Sequence, residues 1–109
     1  MLVIIDNEMG NIQSVANALV KLNVEYIISN DIATVEQASS LIFPGVGAFP
    51  MAMANLKKLS LDKVLKEKLV EKNTPFLGIC LGMQLLFEAS DEQTHTKGLG
   101  LLKGKVTRI

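Results

Sequence analysis

The chain has 109 residues, 49% of them hydrophobic and 20% charged, with eleven basic side chains balanced by eleven acidic ones. That suffices for one globular domain, and the neutral balance gives nucleic acid or an anionic membrane no electrostatic hold. No apolar run approaches the length of a membrane span, no basic leader opens the chain, and one cysteine cannot close an internal disulfide, so a cytoplasmic protein is expected. Trp is absent and aromatics make up 5%, which leaves no platform for stacking bases.

In chain order, "MLVIID" is a short continuous apolar run, as expected of a strand buried on both faces of a parallel sheet. "NEMGN" supplies turn chemistry, with Asn11 as the expected N-cap of a helix over "NIQSVANALVKLN". In that helix Ile12, Val15, Ala16, Leu19, Val20 and Leu22 recur at helical spacing. "VEYIIS" reads as a second strand, "SNDIATVEQA" as a turn and short helix, and "SSLIFPG" as a third strand stopped by Pro44 and Gly45. "FPMAMANLKKL" and "SLDKVLKEKLVEKN" predict two helical pieces broken near Ser60. In the second piece Leu61, Val64, Leu65 and Leu69 make the apolar face, with lysines and glutamates mainly opposite. "TPFLGI" predicts a fourth strand, "LGMQLLFEAS" a helix, "DEQTHTKG" a polar loop, and "KVTRI" a last strand after glycine-punctuated turns.

Strands alternating with helices imply an open α/β fold, a mostly parallel sheet with helices on both faces. Reactive groups in such sheets sit beyond the carboxyl ends of the strands, where "DNEMGN", "PGVGAF" and "GICLGMQ" all fall.

Gly78-Ile79-Cys80-Leu81-Gly82 has the form G-x-C-x-G between a strand and a helix, the cysteine version of a nucleophile elbow. A side chain displayed on so sharp a turn crowds the residues two positions away on each side, and glycine relieves the crowding. The helix behind Cys80 is expected to aim unpaired N–H groups at the sulfur, which favours thiolate. The amide of Leu81 is placed to donate to a developing oxyanion. The competing reading is a small apolar cysteine buried at a tight turn. The loop after the third strand, Pro44 to Phe49, can bring a second donor from Val46 or a neighbour, although "PGVG" also ends strands that bind nothing. Gln84, one helical turn past Cys80, either faces the same pocket or is an exposed polar position. His95, the only histidine, sits in a polar loop and reads as a surface residue, so the thiol has a cradle but no base.

Together these residues resemble the class I glutamine amidotransferase family. "GICLGMQLLFE" is similar to its nucleophile segment, "PGVGAF" to its oxyanion loop, "GLGLLKGKV" to the stretch after the elbow helix, and "MGNIQSV" to the start of its first helix. The resemblance implies a flavodoxin-like three-layer fold, incomplete here, with residues 1–109 as the N-terminal part of a single domain. It implies Cys80 as the nucleophile that attacks the side-chain amide of glutamine, and the amides of Val46 and Leu81 as the oxyanion hole. Gly47 and Gln84 would bind substrate; no metal or cofactor is implied. The branch it most resembles passes ammonia to a (β/α)8-barrel cyclase that makes imidazole glycerol phosphate in histidine biosynthesis. Alternatives are a paralogous glutaminase serving another synthase, a non-catalytic α/β module, or another elbow-cysteine hydrolase. Two departures stand out. Asp6-Asn7-Glu8 replaces the family's usual Asp-Tyr-Gly, and the family's catalytic His and Glu come from a later part of the chain. A half-sheet of this kind is expected to expose apolar surface and an unpaired edge.

Overall fold

The computed structural model describes residues 1–8 and 11–109; the Met9-Gly10 part of the expected first turn lies outside the described residues. The main sheet has four parallel strands, β1 (Leu2–Ile5), β2 (Tyr26–Ser29), β3 (Ser40–Gly45) and β4 (Phe76–Cys80), in the order β2-β1-β3-β4. Between them run α1 (Ile12–Lys21), α2 (Ile32–Gln37), α3 (Phe49–Lys58) and α4 (Leu61–Lys66). Because side chains alternate along a strand, Val3, Ile5, Leu41 and Phe43 share one face, packed against Val35, Phe49, Leu56, Leu61 and Leu65 from α2, α3 and α4. Ile4 and Ile42 point the other way, onto Ala16 and Leu19 of α1. The result is the expected three-layer α/β arrangement.

Local chemistry explains most element ends. Asp31 accepts the Thr34 amide at 3.1 Å and caps α2. Ser60 takes a left-handed φ of 58° and so separates α3 from α4 at the expected break. Asn11 does occupy the N-cap position of α1, but its side chain makes no capping bond there. The apolar stripe of α1 is also narrower than expected: Val20 is 60% and Leu22 69% exposed, since only residues spaced like Ala16 and Leu19 point at the sheet.

One lysine breaks the expected pattern of the fourth helical stretch. Lys68 lies in a π-helical turn (Glu67–Glu71) that continues α4, and it is buried. Its ammonium donates to the carbonyls of Glu36 at 2.8 Å and Ala38 at 2.6 Å. These carbonyls lie at the C-terminal end of α2, where the helix has unpaired acceptors and partial negative charge.

The C-terminal part departs most from expectation. The predicted helix over 81–90 is only α5 (Leu81–Gln84), followed by strand β5 (Phe87–Ser90). The cause is tertiary: Leu99 donates to the Leu85 carbonyl at 2.8 Å, and Leu101 to that of Leu86 at 2.8 Å, which draws those acceptors out of a helix. β6 (Thr96–Lys97) and β7 (Leu102–Val106) join β5 in a second sheet of order β6-β5-β7, so the last strand lies earlier than "KVTRI". β7 runs parallel to β5 and β6 antiparallel to it. Lys105 reaches Asp91 at 2.7 Å and fixes β7 to the end of β5.

β4 forms one edge of the main sheet, with Leu77 55% and Ile79 37% exposed, in line with the expected apolar edge. From it the chain turns sharply into α5 through Cys80, at φ 57° and ψ −114°. A Cβ on Gly78 would lie 2.8 Å from backbone atoms of Met83, and one on Gly82 would overlap the Phe43 carbonyl of β3. The second obstruction is rigid backbone, so only glycine lets α5 start this close to the sheet.

Gly82→Ala should therefore destabilise the fold by about 1–3 kcal/mol or more, read as a lower melting temperature; an unchanged one would contradict the close approach. A second expectation concerns pH. The Asp91 carboxyl is held below its ordinary range, first by the hydrogen bond from Lys105 and then by that with His95. A lowered carboxyl stabilises the fold above its unfolded value, and that contribution is lost as pH falls through its folded value. Asp91→Asn should thus lower the melting temperature slightly at neutral pH, with the gap closing in acid. A gap that persists in acid would mean the charge is not involved.

Candidate active site

The sheet register places two of the predicted stretches side by side. Gly45, at the end of β3, pairs with Cys80, at the end of β4. A Cβ built on Gly45 would be 3.3 Å from the Leu81 Cβ and 3.5 Å from the Gly82 nitrogen, so the loop after β3 begins directly against the turn from β4 into α5. β1 lies on the other side of β3, which brings Asp6 and Asn7 to the same edge. The strands thereby gather at one edge the stretches that are far apart in sequence.

Cys80 is a free, exposed thiol, not a packed one, which removes the reading of a small buried core cysteine. It is held at a positive φ that a non-glycine residue adopts only when its surroundings enforce it. Leu81 is buried and opens α5, so its amide and that of Gly82 have no carbonyl before them within the helix. The helix is a single turn, so the unpaired N–H groups expected behind the sulfur come down to these first amides. Val46 is 56% exposed in the short loop between β3 and α3. Gly47 follows at φ 113°, a conformation closed to most side chains. Gln84 ends α5 and is half-buried, one turn from Cys80.

A cavity of about 350 Å³ opens beside this loop, lined by Gly47, Ala48, Phe49 and Pro50 on one side and by Glu92, Gln93 and Arg108 on the other. Cys80 is not among its lining residues. A larger cavity, about 540 Å³, lies between Lys63–Glu71 and Leu99–Leu101, on elements that carry none of the predicted site residues. Glu92, Gln93 and Arg108 were not singled out by sequence, because polar residues in a loop and at a strand end carry no periodic signal. Among the described residues, no cluster of three His, Cys, Asp or Glu side chains is arranged to hold a metal ion.

His95 is 66% exposed on the second sheet's loop, with its Nδ1 at 2.6 Å from Asp91 Oδ1. Among the described residues no hydrogen bond joins it to Cys80. The surface reading holds, and Asp91 is bonded at its other oxygen to Lys105. Less expected is Asn7, which is buried although its neighbours are turn residues. Its side-chain amide donates to the Ala52 carbonyl at 3.2 Å, and the Asn55 amide donates to the Asn7 carbonyl at 3.1 Å.

A sequence model of the family "Glutamine amidotransferase class-I" matches residues 3–109. Among similar proteins is the imidazole glycerol phosphate synthase subunit HisH of Lactococcus lactis subsp. lactis, 51% identical over 108 residues, covering 99% of this chain and 53% of that relative. The subunit of the same name from Geobacillus sp. is 53% identical over 109 residues, 100% of this chain and 51% of its own length. That from Oceanobacillus iheyensis is 50% identical, again over 100% of this chain and 54% of its own length. The chain thus spans about half the length of the curated relatives it matches. An exposed cysteine on a strained strand-to-helix turn beside a glycine loop, and a family match over nearly every residue, place this chain in the class I glutamine amidotransferase family.

Proposed function

We propose that the chain is the nucleophile-bearing, N-terminal part of a single glutaminase domain that passes ammonia to a synthase partner. The observation that carries this is the exposed Cys80 at φ 57°, in register with Gly45 and so next to the Val46-Gly47 loop. In this reading the sulfur attacks the side-chain carboxamide carbon of glutamine. The amides of Val46 and Leu81 donate to the resulting oxyanion, ammonia leaves with a proton, and a thioester remains on Cys80. Water then hydrolyses the thioester, releasing glutamate and restoring the thiol. Gly47 and Gln84 bind the substrate. Glu92, which lines the cavity with Gly47, offers a carboxylate to the α-ammonium group of an amino acid.

The partner in this reading is a (β/α)8-barrel cyclase that uses the ammonia to make imidazole glycerol phosphate in the cytoplasm, the pair acting as a heterodimer with lyase and glutaminase activities. Relatives named as subunits of that synthase support it. The departure at Asp6-Asn7-Glu8 favours a second reading, a paralogous glutaminase serving a different synthase.

The described residues offer Cys80 no base, since His95 is bonded to Asp91 on the surface. General acid–base assistance contributes roughly 10²–10⁴-fold, so the 109-residue chain alone should release no ammonia from glutamine above background. Steady release that disappears in His95→Ala would show that this histidine serves the thiol after all. In the complete subunit, a diazo-ketone analogue of glutamine should alkylate Cys80, seen as an adduct by mass spectrometry. An unmodified Cys80 under turnover conditions would reject the nucleophile assignment.

A further inference from the structure

We propose that Asn7 is a positioning residue for the loop of residues 46–48, acting through α3; the inference rests on the glutaminase reading above. Asn7 follows β1 and is 1% exposed. Its side-chain amide donates to the carbonyl of Ala52, and its own carbonyl accepts from the side chain of Asn55. Both partners lie in α3, three residues apart and so on one face of the helix. The two bonds run in opposite senses and clasp the first turns of α3 to the end of β1.

α3 begins at Phe49, with Ala48 as its N-cap, so no slack separates it from Val46 and Gly47. Phe49 and Ala52 are both buried, and any displacement of α3 along its axis carries the loop with it. The remaining oxygen of Asn7, Oδ1, is buried and has no hydrogen-bond partner among the described residues. Rotating the amide would set that oxygen against the Ala52 carbonyl, so its orientation is enforced. A buried acceptor left unfilled opposes stability. A leucine of similar shape would remove the unfilled acceptor and fill the space, but it cannot donate to Ala52, which leaves α3 held by the Asn55 bond to the residue 7 carbonyl alone. Asn7 thus trades stability for the placement of the loop against Cys80.

The test uses the complete subunit, of its relatives' full length, assembled with its synthase. Asn7→Leu should leave the melting temperature unchanged or raise it. It should lower kcat for ammonia release by roughly ten- to a hundredfold, the effect of a small misplacement of a reacting group, with KM for glutamine nearly unchanged. Asn55→Ala removes the second bond from a half-exposed helix position and should lower kcat in the same sense. It decides the matter if Asn7→Leu does not fold. A fall in activity that only follows a fall in melting temperature, or kcat equal to wild type in both variants, overturns the positioning role. A wild-type complex that releases no ammonia overturns the glutaminase reading and this inference together, whereas an active wild type matched by both variants overturns this inference alone.

Discussion

The Phe43 carbonyl of β3 and the backbone of Gly82 approach each other so closely that no Cβ fits between them. The rest of the site depends on this contact. It lets the chain leave β4 and turn at once into α5, with the turn taken entirely at Cys80 and its positive φ. A wider turn would lower the sulfur toward the sheet or move the Leu81 amide away from it. The contact is backbone to backbone, so neighbouring side chains cannot relax to relieve it, and the strain at Cys80 is held by the packing of Leu81 and Leu85 in the core.

The sheet's register converts that local geometry into a site. Pairing of Gly45 with Cys80 places the loop after β3 alongside the turn into α5, and the β1–β3 pairing brings Asn7 to the same edge. α3 joins the two neighbours, since it starts where the loop ends and is bonded to Asn7. On the opposite end of the fold, Lys68 ties the C-terminal end of α2 to the π-helical turn. Buried polar groups thus fix α3 near the thiol and α2 far from it, where apolar packing alone would allow each helix to slide.

Where sequence patterns are local and repeated, they read through to the structure. The four apolar runs became the four parallel strands and the break at Ser60 occurred, although Asn11, the expected cap of α1, makes no side-chain capping bond. The sharp strand-to-helix turn at Cys80 was legible because Gly-x-Cys-x-Gly encodes a steric requirement that no other residue meets. What was not legible lay in long-range pairing. Leu85 to Ala89 have the composition of a helix, yet amides from Leu99 and Leu101 claim the carbonyls of Leu85 and Leu86 and a strand follows. Lys68 looked like a solvated charge, and Asn7 like a turn residue.

By itself, the order of residues determined the α/β layering and the identity of the displayed thiol, since each depends on residue type and near-neighbour spacing. Only the tertiary structure decided that Gly45 faces Cys80, that α5 is one turn long, and that Asn7 reaches across to α3. Those outcomes depend on hydrogen-bond partners well separated along the chain, whose competition for the same carbonyls and amides is settled when the whole chain packs.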